Sequence, residues 1–295
     1  MRRLPLVVLA LSFAACSGRD AARDAGDAAR SLIRVDLSYT HLAGAPASDL
    51  RFDAQAHFVR YRAFDPAGVP TILGFTDFDG IPLDTCKVSD GTADLDEALG
   101  TDGTVRTAVA EVMLLDAGRI EVRGPADRAQ LRIAHYPELV PFVSGVVYGG
   151  DDTHPVALGL GQPYQVAGEG GEEVGPFVAT VTAPRAFPSL QLEPLHRGND
   201  LDVRWSPAEA SEPMLLDVKW SARSAGTRSV RCRVRDDGEF TILRDAFDAL
   251  PPPASITSAT ITSVRLQRNP LAAPGAGRGE LTVELRDVAP LQVAP

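Results

Sequence analysis

The chain has 295 residues, 39 acidic side chains against 29 basic ones and a formal net charge of −10. That balance argues against a nucleic-acid partner and against electrostatic adhesion to anionic lipid. With 26 Gly and 23 Pro spread along its length, the chain leaves little room for long helices.

The first element is a leader: a basic start (Arg2, Arg3), an apolar run from Leu4 to Phe13, and Ala14 and Ala15 ahead of Cys16. About ten apolar residues fall short of the roughly 20 that span a bilayer, but suit the core of a signal peptide. A plain secretory signal needs no thiol. Phe13-Ala14-Ala15-Cys16 resembles the lipobox of bacterial lipoproteins, with Phe13 where Leu is usual. The resemblance implies removal of residues 1–15 and a lipid-bearing N-terminal Cys16; an ordinary cut after Ala15, leaving a free thiol, is the alternative. At about 0.8 kcal/mol per buried CH₂, two or three acyl chains make a durable anchor. Ser17, where Asp would retain a lipoprotein at the inner membrane under the enteric sorting rule, implies the outer membrane. With Arg2 and Arg3 removed, 27 basic residues face the 39 acids, and the mature chain carries −12.

Residues 16–31 follow as a tether. From Ser17 to Ser31 the chain holds no aliphatic side chain larger than Ala, so nothing there repays the entropy of ordering. As a flexible coil it reaches about 20 Å. A partner-docking Ala-rich helix is the alternative, opposed by Gly26 and the missing apolar stripe.

From Leu32 onward the period is two. Arg34 to Leu37, His57 to Arg62, Arg119 to Arg123 and Gln130 to Ile133 alternate apolar with polar, as half-buried strands do. Turn pairs such as Asp79-Gly80, Asp90-Gly91 and Gly149-Gly150 cut the chain at short intervals. The expected fold is all-β, with two antiparallel β-sandwich-like domains: residues 32–185, and an immunoglobulin-like sandwich over residues 186–295. The junction falls at the change of texture around Ala183 to Pro188. In the second domain Leu201, Val203 and Trp205 face inward, Val230, Cys232 and Val234 do the same, and Ile256 to Leu266 and Leu281 to Leu285 add strands. One short helix is expected at Leu243 to Leu250, ended by Pro251-Pro252-Pro253.

Several short segments then carry a resemblance. Tyr164 to Phe177 with Ala183-Pro184, Cys232 followed by Asp237 to Ile242 and Ala249-Leu250-Pro251, Leu83 to Cys86, and Leu114 to Gly118 resemble stretches that recur in lipoproteins of myxobacteria and their relatives. The resemblance covers most of the mature chain and implies envelope location and β architecture. It implies no catalytic residue.

Candidate chemistry is sparse. With Cys16 set aside, Cys86 and Cys232 are left, and in an oxidising compartment an even pair favours a disulfide. Two separate buried thiols are the alternative. Asp77, Asp79 and Asp84 lead a run of acids interrupted by one basic residue, Lys87. Loop carboxylates at that density suit Ca²⁺, the one cofactor the residues suggest, although Asp77-x-Asp79-Gly80 is only a fragment of a calcium loop and solvated turns are the alternative. Gly168, Gly170, Gly171 and Gly175 fail as a dinucleotide loop, since Glu173 stands at the third glycine position. Asp151, Asp152 and His154 form a weak metal candidate beside Pro155. Arg231, Arg233 and Arg235 are expected to pair with acids on a neighbouring strand.

These residues support a non-catalytic, membrane-anchored envelope module whose partner is an envelope protein or polysaccharide; it should present a sheet-covered surface without a deep polar cleft. An extracytoplasmic hydrolase or carbohydrate-binding accessory using loop carboxylates is the alternative, and it should present a concave pocket with two convergent carboxylates.

Overall fold

The computed structural model describes residues 30–46, 49–63, 78–90, 109–135, 143–150, 155–208, 212–222 and 226–294. Cys16, the leader, most of the tether, Asp77 and the Asp151–His154 candidate lie outside them. The described chain is all-β. In its first part run β1 (Arg30–Leu42), β2 (Arg51–Ala63), β3 (Thr85–Asp90), β4 (Val109–Leu114), β5 (Ile120–Arg123), β6 (Arg128–Gln130), β7 (Arg132–His135), β8 (Val143–Gly150), β9 (Pro163–Gly168) and β10 (Phe177–Thr182). Then come β11 (Leu190–Leu192), β12 (Leu195–His196), β13 (Leu201–Trp205), β14 (Met214–Ala222), β15 (Gly226–Val234), β16 (Glu239–Ile242), β17 (Ile256–Ala273), β18 (Gly277–Pro290) and β19 (Val293–Ala294).

One ten-stranded sheet, in the order β3-β15-β14-β17-β18-β1-β2-β4-β8-β7, forms a common back wall. Two smaller sheets cover one of its faces side by side. The four-stranded sheet β10-β9-β5-β6 closes a first core around Val35, Leu37, Phe58, Tyr164 and Val166. The three-stranded sheet β11-β13-β16 closes a second around Val203, Trp205, Leu216, Trp220 and Cys232. The strict alternation of burial in β10 and β13 marks strands with one wet face.

The halves of the chain do not map one to one onto the two cores. The β17–β18 hairpin feeds both, with Ile261 and Ala289 in the second core and Leu271, Ala273, Leu281, Val283 and Leu285 in the first. At 18 residues, β17 is roughly 60 Å long, enough to back two sandwiches in turn. The expectation of purely antiparallel sheets needs correction. β1 lies parallel to β18, Val35 opposite Leu281 and Tyr39 opposite Leu285, and β4–β8 and β12–β19 are parallel too. A strand from the start of the folded chain thus pairs with one from its end, a crossover that local alternation does not encode.

Three smaller differences have local causes. β1 begins at Arg30 because Arg30 and Ser31 pair with Tyr61 and Arg60, which shortens the tether by two residues. The alternating stretch Gln130 to Ile133 is two strands, the chain passing from the small sheet to the large one at buried Leu131. The expected helix is a single 3-10 turn, Arg244–Phe247, without a side-chain cap at Leu243. Too short to nucleate an α-helix before the prolines, the segment seats Phe247 and Leu250 in the second core and leaves Leu243 exposed.

The junction is fastened by Arg265. On the core-facing side of β17, between the stretches serving the two cores, its guanidinium is 2% exposed and meets the carboxylate of Asp236, 3% exposed, through Nε and Nη2 at 2.7 Å each. Nη1 donates to the carbonyls of Ala186 and Phe187 at 3.0 and 3.2 Å, and Nη2 to that of Ser206 at 2.9 Å. All five N–H groups of the fork therefore have an acceptor. Ser263 Oγ adds a hydrogen bond to the Pro188 carbonyl at 2.8 Å, and Trp205 Nε1 donates to Asp236 at 2.9 Å. The segment expected to separate two domains is thus sewn to the shared sheet.

Replacing Arg265 with Met strands a buried carboxylate and three carbonyls. We expect a loss of about 3–5 kcal/mol in urea unfolding, with amide protection lost first around residues 186–188; a variant unfolding at the wild-type midpoint would remove the junction role.

Candidate functional site

Cys86 and Cys232 form a disulfide between directly opposite residues of β3 and β15, within one sheet. It closes a span of 146 residues and in the chain-entropy model restricts the unfolded chain by about 5 kcal/mol. The bond indicates an oxidising, extracytoplasmic compartment. Among the described residues no helix is long and apolar enough to cross a membrane.

The two described members of the calcium candidate are not presented to a cation. Asp79 takes both Nη atoms of Arg268, at 2.5 and 3.0 Å, and this hydrogen-bonded pairing holds its carboxyl below the usual carboxylate range. Asp84, in the left-handed region at φ 59°, accepts the Arg235 backbone N–H at 3.0 Å and lies 3.0 Å from the Arg235 guanidinium. These acids anchor the loop before β3 to β15 and β17. Among the described residues no three His, Cys, Asp or Glu side chains gather as a metal set. Arg235, just past the end of β15, lies 3.0 Å from Asp84, and Arg233 lies 3.9 Å from Asp79, so these two meet acids of the loop before β3 and not acids of a neighbouring strand, while Arg231 stands directly opposite Asp217 on β14.

The glycine-rich stretch has a packing reason. Gly118, at φ +69°, passes so close to the Gly170 carbonyl that a Cβ would stand 2.2 Å from its oxygen, and one on Gly171 would stand 2.5 Å from the Asp116 carbonyl. Glu173 accepts the Asp116 N–H at 2.9 Å. Two separated segments of the resemblance, Leu114 to Gly118 and Tyr164 to Phe177, are therefore one interlocked unit.

The site that sequence reasoning missed lies on the other face of the ten-stranded sheet. Both small sheets pack on one side, so β14, β17, β18, β1 and β2 turn a second, polar face into a cleft of about 370 Å³. The expectation of a surface without a polar cleft is corrected by this one-sided packing. Three strands each place an ion pair two residues apart on this face: Arg34 Nε to Asp36 at 2.7 Å, Lys219 Nζ to Asp217 at 2.9 Å, and Arg286 to Glu284 at 2.5 and 2.8 Å. Arg34 also approaches Glu284, at 3.9 Å. Beside them Leu215, Val264 and Leu266 form an apolar shelf against which Phe78 packs. The signal was present as Arg-x-Asp, Asp-x-Lys and Glu-x-Arg, but such pairs read equally as solvated faces.

Burial raises the Asp36 carboxyl above its ordinary value, Arg34 opposing and Glu284 reinforcing the effect. Burial pulls Arg286 down, but Glu284, Asp36 and Asp53 outweigh it and hold the guanidinium charged. Asp36 Oδ1 and Asp217 Oδ1 are buried without a hydrogen-bond partner among the described residues. His57, opposite Arg34 on β2 and 8% exposed, is pushed down to about 4 by burial and by Arg34. His41, hydrogen-bonded to Asp287 at 2.7 Å, is raised by that bond.

No protein-family model matches the chain, and no curated protein does. Among solved structures, the FN1–FN3 domains of chicken CNTN1 align over 88% of this chain and 69% of that one at 10% identity and a TM-score of 0.22. The yeast delta-COP-I mu-homology domain aligns over 90% and 98% at 10% identity and a TM-score of 0.21. Scores this low carry no argument.

The histidines act in opposite directions on pH stability. Neutral, buried His57 binds a proton only on unfolding between pH 6.5 and about 4, so stability is full above that window and falls by up to about 3 kcal/mol across it. His41 contributes fully below pH 6.5 and loses its contribution as pH rises through its raised value. His57→Gln should flatten the acid limb relative to wild type in denaturant titrations from pH 7 to 4; an unchanged limb would contradict the assignment.

Proposed function

We propose that this chain is an exported lipoprotein, held at the outer membrane by acyl chains on Cys16, that serves the cell envelope as a non-catalytic binding and assembly module. The observation that carries this reading is the condition of the cleft, whose carboxylates meet cations of the same wall: Asp36 with Arg34, Asp217 with Lys219, Glu284 with Arg286. Charges compensated in this way recognise a polar partner without offering a free acid and a free base at one point. Support for the location comes from the disulfide, from the lipobox-like Phe13 to Cys16, and from the resemblance to myxobacterial-type lipoproteins. The partner is an envelope protein or polysaccharide. The immunoglobulin-like character of the C-terminal sandwich belongs to the same reading: Trp205 fills its centre between two sheets, although its disulfide lies within one sheet rather than across two.

A second reading rests on one specific feature. Asp36, raised by burial and by neighbouring Glu284 in a concave site, suits an extracytoplasmic hydrolase or carbohydrate-binding accessory, with acids on strands instead of loops.

Fractionation tests the first reading. The wild-type chain should sediment with membranes, resist a carbonate wash and incorporate a palmitate analogue, whereas Cys16→Ala should be soluble and unlabelled. A Cys16→Ala chain that stays in the washed membrane overturns the anchor. Release of reducing ends from envelope polysaccharide, abolished by Glu284→Gln, would overturn the non-catalytic assignment in favour of the second reading.

A further inference from the structure

The cleft has a charge pattern that specifies more than polarity, and the ligand inferred from it rests on reading the chain as a binding module. Four cations and six carboxylates line it, an excess of two negative charges. Its cations are engaged. Arg34 holds Asp36, Lys219 holds Asp217, Arg286 holds Glu284, and Arg268 holds Asp79 with Glu280 3.7 Å away. Two carboxylate oxygens are not: Asp217 Oδ1, on a residue only 8% exposed, and Asp36 Oδ1. Among the described residues, Arg268 Nε is also without a hydrogen bond, but it lies 3.8 Å from Glu212 on a guanidinium that Asp79 already holds, so an arriving anion meets cations already paired while a cation finds two acceptors.

Register separates the two acceptors. Asp217 lies opposite Thr262, Thr262 opposite Val288, and Val288 opposite Leu42, six residues along β1 from Asp36. Three strand spacings across and six residues along amount to roughly 25 Å, the reach of about eight extended residues. No single small cation spans that distance. Leu215, Val264 and Leu266 form an apolar shelf on the same wall, and Phe78 packs on it.

We propose that the cleft is the docking surface for an extended basic peptide segment of a partner protein, with two cationic side chains about eight residues apart and aliphatic residues in its centre. One cation meets Asp217 Oδ1, the other Asp36 Oδ1, and the centre lies along Phe78, which already covers the buried shelf. Lys219, already bonded to the second oxygen of Asp217, is a resident competitor at one end.

Titration of the full chain by calorimetry tests this with three probes: a nine-residue peptide with lysines at its first and ninth positions, which share a face of an extended chain, and an aliphatic centre, the same peptide with both lysines changed to glutamate, and a neutral hexasaccharide. The lysine peptide should bind, more weakly as salt rises. Asp36→Asn and Asp217→Asn, both nearly isosteric, should each weaken it about tenfold. Lys219→Met, which removes the competitor while keeping the stem, should tighten it several-fold; this arm holds even if an Asn variant fails to fold. No binding of the lysine peptide, equal binding of the glutamate peptide, or affinities unmoved by all three substitutions would overturn the proposal. Binding of the hexasaccharide without the peptide overturns it and leaves the binding-module reading standing, whereas cleavage of the hexasaccharide overturns both.

Discussion

Arg265 is the point through which the two sandwiches become one molecule. A guanidinium that deep is costly to desolvate, and the cost is offset only where all five donors find acceptors and the charge finds a carboxylate. Those conditions meet where β17 passes from one core to the other: Asp236 comes from the turn after β15, and three carbonyls come from chain segments around residues 186 and 206. An apolar residue here would fill the space yet leave those three carbonyls unsatisfied. A polar group at this node therefore does what hydrophobic packing cannot, tying a connecting segment to a sheet it does not pair with.

The shared sheet follows from the same arrangement. Because β17 and β18 run unbroken past the junction, each sandwich takes part of its back wall from one hairpin, and β1 completes the first by lying parallel to β18. The disulfide performs the equivalent task at the far edge, fixing β3, an early strand, to β15 of the second sandwich. Contacts of such long sequence separation must wait for the C-terminal hairpin, so the fold closes late and is slow by topology. Covalent closure of that edge is a fitting counterweight in a compartment that permits it.

What is legible in the residues is local. Alternation at Leu201, Val203 and Trp205, or at Val230, Cys232 and Val234, follows from a two-residue period against one core, and the structure places these side chains inward. Alternation does not say which strand lies alongside, so the parallel β1–β18 pair and the donation of β3 to the second sandwich lie beyond its reach. Nor does it report a strand covered on both faces. In β18, Leu281, Val283 and Leu285 face the core while Thr282 and Glu284 are buried on the other side. Charged residues there read as solvated until the sheet's neighbours are known, whereas acids in loops stand out as ligands. Asp79 and Asp84 prove to be anchors for the loop before β3, while the acids of interest lie in plain strand sequence.

That reversal has a physical logic. Loops in this molecule are held down by their own carboxylates, as Asp84 and Asp116 illustrate by bonding backbone N–H groups, so their acids are consumed by local structure. Strands have their backbone groups satisfied by the ladder, which leaves strand side chains at liberty to carry charge. With both small sheets on one face, the long sheet keeps another where such charge can be half-buried, raising the stakes of each pair through a lower local dielectric. Opposite charges two residues apart on the same strand settle most of that face internally. Among the described residues, one oxygen each of Asp36 and Asp217 is the part of the wall that this internal pairing leaves without a hydrogen bond.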